Sequence, residues 1–293
     1  MTGLFTRALK MAMVSGWIVL PVCLLRHVLR RCPKKYTVCL WALVAVRLVC
    51  PVTVHSSLSL IPQRLELAAS KLATLPLGAI WLAGMGAMLL LGFFRLLRLT
   101  RRLKEAVLWK DNVWVCDYLP TPFVLGVFRP KIYLPSCLTP EDAQLVLAHE
   151  REHVRRLDAL WKILAYGLLC VYWFHPLLWL AYWLFGMDVE LACDQATAAK
   201  LSGQKRQEYA ELIIVWAAPA APVPGFGSHG LKKRIRTVLG YRKASRWSLP
   251  VFLVTTALVA ACFLTSPMSG MDAPVQEAVG QFFSQLDTVA APQ

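Results

Sequence analysis

Two histidines four residues apart, with a glutamate directly after the first, close an apolar run: Leu147-Ala148-His149-Glu150-Arg151-Glu152-His153. The residues before them, 143–148, favour helix. On a helix, side chains four apart lie nearly one above the other, so His149 and His153 can offer two imidazoles to one point. Glu150 sits about 100° round the axis, close enough to work on a water there without being a ligand. Two neutral imidazoles on a metal and a carboxylate as general base is the chemistry of a zinc peptidase helix. The plainer reading is an amphipathic surface helix carrying Glu150, Arg151, Glu152, Arg155 and Arg156. A third ligand decides between them.

That ligand has a candidate in Met187-Asp188-Val189-Glu190-Leu191-Ala192-Cys193-Asp194. Glu190 and Asp194 are again four apart in a helix-favouring stretch. Glu190 would complete the metal set, and Asp194, one turn on, would hydrogen-bond the far nitrogen of a ligand histidine. Asp188 is the runner-up, pointing away from Glu190 on a regular helix. A third histidine in the H-E-x-x-H-x-x-G-x-x-H spacing is excluded, because Arg156 and Ala159 stand at those places. The expected cofactor is Zn2+.

What must position these groups is largely apolar. Some 57% of the chain is hydrophobic and mean hydropathy is positive, whereas soluble domains run near 45–50% apolar. The formal charge of +15 fits either nucleic-acid binding or Lys- and Arg-rich cytoplasmic loops. Nine cysteines without a C-x-x-C pair read as buried thiols, Cys193 included. No cleavable signal peptide is evident, since Arg26, Arg30 and Arg31 follow the first apolar segment.

The placement of charge selects the membrane. Spans are expected at 11–25 (helped by Leu4, Phe5 and Leu9), 36–54 (interrupted by Arg47), 75–94 and 249–265. Basic clusters lie at 26–35, 95–104 and 232–246, while 55–74 is nearly neutral and the tail after 266 carries only acids. One orientation satisfies the positive-inside rule: both termini extracytoplasmic, four crossings, and the block bearing the histidines in the cytoplasm. The expected division is three transmembrane helices in 1–94, a cytoplasmic zinc metallopeptidase domain in 95–247, a fourth span in 248–266 and a short extracytoplasmic tail in 267–293. The fold class is a mainly α membrane protein, with four transmembrane helices and an α+β gluzincin-like domain. The charge is topological, so direct nucleic-acid binding is not expected.

Within the block, 113–116, 122–128 and 131–134 read as short strands, the last two a hairpin. Thr139-Pro140-Glu141-Asp142 reads as N-cap, first-turn proline and first-turn acids of the histidine helix. A hairpin just before that helix could hold a substrate as an added strand or serve only the core. Residues 160–186 are apolar enough to cross a bilayer, yet a single crossing would leave His153 and Glu190 on opposite faces. A membrane-associated bent segment is therefore expected, broken at Trp173-Phe174-His175-Pro176, with His175 a turn residue. Asp158 is read as the helix partner of Lys162. Residues 217–230, rich in Pro and Gly, are expected as an exposed loop, a linker or a site of self-cleavage. His229 and Tyr209 are candidate oxyanion donors.

Several stretches together resemble the BlaR/MecR family of membrane zinc metallopeptidases, the β-lactam sensor-transducers. They are Thr121-Pro122-Phe123-Val124-Leu125-Gly126, Arg129 through Pro135, the H-E-x-x-H with Asp158, Trp173-Phe174-His175-Pro176-Leu177, Asp188 through Asp194, and Leu231-Lys232-x-Arg234-Ile235. The resemblance implies a four-span protein whose cytoplasmic zinc domain answers an outside signal, cleaves itself and promotes loss of a repressor. It also implies zinc on His149, His153 and Glu190, Glu150 as base, and Asp194 supporting a ligand. His175 departs from the family's usual asparagine. The implied partners are the lipid bilayer, a cytoplasmic protein substrate such as a winged-helix transcriptional repressor, and a second copy in a homodimer. Residues 266–293 are too few for a penicillin-binding sensor domain, and Ser202-Gly203-Gln204-Lys205 is a coincidental S-x-x-K. A constitutive quality-control protease and a non-catalytic receptor scaffold are the alternatives.

Overall fold

The computed structural model describes residues 2–50, 54–55, 77–117, 119–217, 226–243, 245–263 and 265–266. Nine helices are described: α1 (Thr2–Val28), α2 (Lys34–Val49), α3 (Gly78–Arg102), α4 (Pro140–Arg155), α5 (Asp158–Val171), α6 (Pro176–Ala198), α7 (Gly203–Ala217), α8 (Phe226–Leu239) and α9 (Ser248–Phe263). The strands are β1 (Val54–His55), β2 (Val107–Lys110), β3 (Val113–Cys116), β4 (Phe123–Leu125), β5 (Lys131–Pro135) and β6 (Thr265–Ser266).

By length and composition, the helical stretches Leu4–Val28, Gly78–Glu105 and Pro176–Ala198 can each cross a membrane, and Ser248–Phe263 is a shorter apolar helix. The second expected span is a 16-residue helix, about 24 Å long at 1.5 Å per residue. Arg47, inside it, is buried in the bundle. One apolar core joins α1, α2, α5, α6 and α9 around Ile18, Val22, Leu40, Val44, Phe185 and Val189. Tyr36 of α2 stacks on Phe252 of α9, centroids 4.7 Å apart. Beyond those helices β1 pairs in parallel with β6. The basic run after the third expected span stays helical, so α3 passes through residue 94 without a break.

The turn expected near residue 174 is present. Val171 ends α5 and Pro176 opens α6, with His175 extended between them at φ −100°, ψ 109°. Proline disfavours helix in the residue before it, and its ring cannot accept a continuing helix. Helix α5 and the turn after it pack on α3, where close approach depends on small residues. A Cβ on Gly84 would lie 2.2 Å from the Trp173 ring, and one on Gly92 2.7 Å from Tyr166.

Four strands form one sheet in the order β2-β3-β5-β4, with β3 and β5 parallel and the other pairs antiparallel. The expected hairpin is β4–β5. Strand β2 is an addition: its residues Val107-Leu108-Trp109-Lys110 are exposed throughout, so no alternating pattern announced it. Helix α4 packs Ala143, Val146 and Leu147 on Val113, Ile132 and Leu134 of the sheet. Its N-cap is the expected one, with Thr139 Oγ1 accepting from Asp142 N at 3.2 Å and Pro140 in the first turn. Residues 218–225 of the Pro/Gly stretch lie outside the described residues, but 226–230, expected as loop, open α8.

Candidate metal centre

Helix α4 delivers both imidazoles to one side of a cleft of about 460 Å³. His149 Nε2 and His153 Nε2 stand 3.2 Å apart, as the four-residue spacing requires. Leu157, in the left-handed region at φ 54°, turns the chain between α4 and α5. This corner brings Asp158 back onto His153, with Nδ1 and Oδ2 2.7 Å apart. The pairing of Asp158 with Lys162 is thus corrected. Asp158 serves His153 and also accepts from Arg156 Nε at 3.4 Å, while Lys162 Nζ donates to Glu190 Oε1 at 3.0 Å.

Helix α6 supplies the acids, and its two faces divide them. Glu190 turns into the cleft, its Oε1 3.6 Å from His153 Nε2 and its Oε2 3.7 Å from His149 Nε2. Asp188 turns the opposite way, as its position two residues earlier dictates. It accepts from Arg26 Nε of α1 at 2.5 Å and from Trp41 Nε1 of α2 at 3.0 Å. Asp194 is 3.4 Å from His149 Nδ1, with a closer path through Tyr209. That hydroxyl is 2.6 Å from His149 Nδ1 and donates to Asp194 Oδ1 at 2.8 Å. Arg234 of α8 closes the chain with two bonds to Asp194, at 2.7 and 2.9 Å. Tyr209 is thereby an orienting group behind a histidine and not an oxyanion donor; the side chain of His229 lies outside the described residues.

These contacts set the tautomers. With Tyr209 giving its proton to Asp194, its oxygen accepts from His149 Nδ1–H; Asp158 accepts from His153 Nδ1–H. With both rings neutral, each Nε2 carries a lone pair, and the two face each other beside a carboxylate. Such a donor set is repulsive until a cation enters it. Ligands about 2.1 Å from a tetrahedral zinc lie roughly 3.4 Å apart, close to the spacings among His149, His153 and Glu190, so this donor set fits the ion. Cys193 also comes near: its ligand atom and those of both histidines lie within 4.8 Å of one another. However, its Sγ donates to the His149 carbonyl at 3.2 Å and is buried behind the cleft wall, whereas Glu190 lines the cleft.

The electrostatics favour positive charge at this point. Burial opposes protonation of His149, but Cys193, Glu190 and Asp194 together push it up to about 10. Burial likewise opposes charge on His153, and Asp158, Cys193 and Glu190 push it up to about 12. Glu150 is buried at the cleft wall. Burial raises its carboxyl above the usual range despite the two nearby histidines, which is the direction a general base at neutral pH needs.

Of the groups singled out in the sequence, His149, Glu150, His153 and Glu190 share the cleft, and Asp194 stands behind His149. Asp158, Lys162 and Arg234 were not assigned there. The rule that a ligand histidine passes its other nitrogen to a carboxylate would have flagged Asp158, five residues after His153. Nothing local marks Arg234, 40 residues from its partner.

Comparison with known proteins bears on the same stretch. The chain is 26% identical to the regulatory protein BlaR1 of Bacillus licheniformis over 238 residues, covering 70% of this chain and 39% of that protein. It is 24% identical over 100 residues to methicillin resistance mecR1 proteins of Staphylococcus aureus and Staphylococcus epidermidis, covering 33% of this chain and 17% of each of them. It thus spans less than half the length of these relatives. The sequence profile described as BlaR1 peptidase M56 matches residues 62–238, more than half of the chain. That match takes in the sheet, the histidine helix, the acids of α6 and Arg234, and by it the chain belongs to the BlaR1 M56 family of peptidases.

Proposed function

We propose that the chain is an integral-membrane zinc endopeptidase acting in transmembrane signalling, hydrolysing itself, a cytoplasmic regulator such as a repressor, or both. The observation that carries this reading is the meeting of two Nε2 lone pairs and one carboxylate beside a buried glutamate. His149, His153 and Glu190 would hold the ion, with Asp194 behind His149. Zinc bound there supplies Lewis-acid polarisation and makes water more acidic at neutral pH. Glu150 takes the proton of the attacking water and returns it to the departing amine. Strand β4 lies at the sheet edge, and its residues Phe123 and Val124 line the cleft. A peptide can bind there as an added strand, ordered by backbone hydrogen bonds. Relatives named as a regulatory protein and as methicillin resistance proteins support the signalling part.

The bent pair α5–α6 supports hydrolysis at the inner face of a cell membrane, with both termini outside and the peptidase domain in the cytoplasm. The pair starts and ends on the metal side, since Asp158 at the start of α5 and Glu190 late in α6 meet in one cleft.

The test is zinc analysis with mapping of self-cleavage fragments on the full chain. Glu150→Gln should keep its metal and lose cleavage; processing as in the wild type would overturn the role of the base. Glu190→Ala should lose metal while Cys193→Ala keeps it, and the reverse result would make the thiolate the third ligand.

A further inference from the structure

Phe128 is 97% exposed, at the tip of the β4–β5 hairpin beside the cleft. The tip is held rigidly. Gly126 has φ 100°, and a Cβ there would come within 2.8 Å of the Arg129 carbonyl oxygen. Val127 and Pro130 share a small crevice with Val154, Leu157 and Leu160, so the tip sits on the α4–α5 corner. Asn112 Nδ2 donates to the Pro130 carbonyl at 3.0 Å, tying in the β2–β3 turn. A firmly held phenylalanine ring left wholly in water forgoes the gain that burial would bring.

The corner defines the depth of the tip. Helix α5 runs along α3, with Tyr166 Oη donating to the Met88 carbonyl at 2.7 Å and Trp173 Nε1 to the Trp81 carbonyl at 3.2 Å. At 1.5 Å per residue, Leu157 then stands level with Leu97 of α3, among the first arginines that end its apolar run, and Trp161 one turn above it, level with Phe93. Above that level both helices turn apolar side chains outward: Leu90, Leu91 and Phe94 on α3, Ile163 and Leu164 on α5. The exposed apolar surface therefore continues from the two helices over Leu157 to Phe128. Beside Phe128, Arg129 and Lys131 are exposed, with Lys110 and a single acid, Asp111, at the adjoining turn. An aromatic side chain at the end of an apolar belt, rimmed by basic groups, suits the boundary of an anionic leaflet.

We propose that the hairpin tip is a lipid anchor, with Phe128 entering the inner leaflet and Arg129 and Lys131 over acidic headgroups, so that β4 at the cleft edge is pinned to the bilayer surface. This rests on the membrane reading of α3 and α5 and is independent of the metal. It also limits which bonds the cleft can reach, since a substrate strand paired with β4 must lie along the membrane.

The test places the photo-crosslinker p-benzoylphenylalanine at Phe128, Phe94 or Glu208, one at a time, in the full chain. The protein is reconstituted in nanodiscs of phosphatidylglycerol and phosphatidylcholine, irradiated, and weighed intact. All three side chains are exposed, so the replacements leave the buried core alone. Adducts heavier by one phospholipid are expected at 128 and 94 and absent at 208. Lipid adducts at 94 without any at 128 overturn the anchor while keeping the spans. A cross-link from 128 to a second chain overturns it in favour of a protein contact. Absence of lipid at both 94 and 128 removes the membrane reading on which it stands.

Discussion

Removing the carboxylate of Asp158 separates two accounts of that residue by measurable amounts. Asp158 is 2% exposed and receives the His153 ring at 2.7 Å. Asp158→Ala leaves a buried Nδ1–H unsatisfied and lets the ring turn. A buried hydrogen bond to a charged acceptor contributes about 1.5–3 kcal/mol. At roughly 1.4 kcal/mol per tenfold, zinc should bind about 10–100-fold more weakly, the usual range for groups that orient a ligand histidine. Asp158→Asn keeps an acceptor but not the charge and should fall between. If Asp158 were only a helix partner of Lys162, Lys162→Met would cost as much stability and neither change would touch the metal. Because Lys162 bonds Glu190 instead, Lys162→Met should not weaken zinc binding. The assay is chelator competition on the purified chain in nanodiscs, alongside melting of the metal-free protein. Wild-type zinc affinity in Asp158→Ala, with a lowered melting temperature, would refute the reasoning.

Two further outcomes follow from charges buried around the same helices. Arg26→Met strands Asp188, which is 1% exposed, leaving it the hydrogen bond from Trp41 Nε1. Breaking a buried pair costs about 3–5 kcal/mol, so thermal unfolding in nanodiscs should show a loss near the lower end, most of it recovered in Arg26→Met with Asp188→Leu. An unchanged melting temperature in the single variant would show that the α1–α6 contact does not hold the bundle. Glu152 is 1% exposed. Burial raises its carboxyl, but the hydrogen bonds from Lys200 and Arg155 outweigh it and leave it below the usual value of 4.5. A depressed folded pKa adds stability above the unfolded value that is lost as pH falls through the folded one. Wild type should therefore lose more melting temperature than Glu152→Gln as pH drops from 7 through 4, and parallel curves would count against the pair.

The helical character was legible where local rules act alone. Thr139-Pro140 marks a helix start, and Pro176 forbids helix before it, so both boundaries fell where expected. Strand β2 was not legible, because an edge strand exposed on both faces carries no alternation of apolar and polar residues. Residues 226–230 were misassigned for the opposite reason. Two glycines and a preceding proline run argued for loop, but Leu231 and Ile235 of the same helix pack on the cluster of Tyr209, Ile213 and Val238, and that packing outweighs the weak propensity of glycine.

For the site, the histidine pair and Glu150 follow from helical spacing, and Glu190 from the need for convergence. A 27-residue apolar interval argued against that convergence only if it formed one straight helix. A break near its middle halves the reach to about 20 Å per arm at 1.5 Å per residue and returns the second arm to the first. The same periodicity that aims Glu190 and Asp194 at the cleft sends Asp188 to Arg26 and Trp41. One helix thus carries both the acids beside the imidazoles and the acid that binds it to the first two helices. The residues behind the histidines were hidden because Asp158, Tyr209 and Arg234 come from three different helices. Their partnership depends on the left-handed corner at Leu157 and on the packing of α8 over α6, neither of which has a periodic signature.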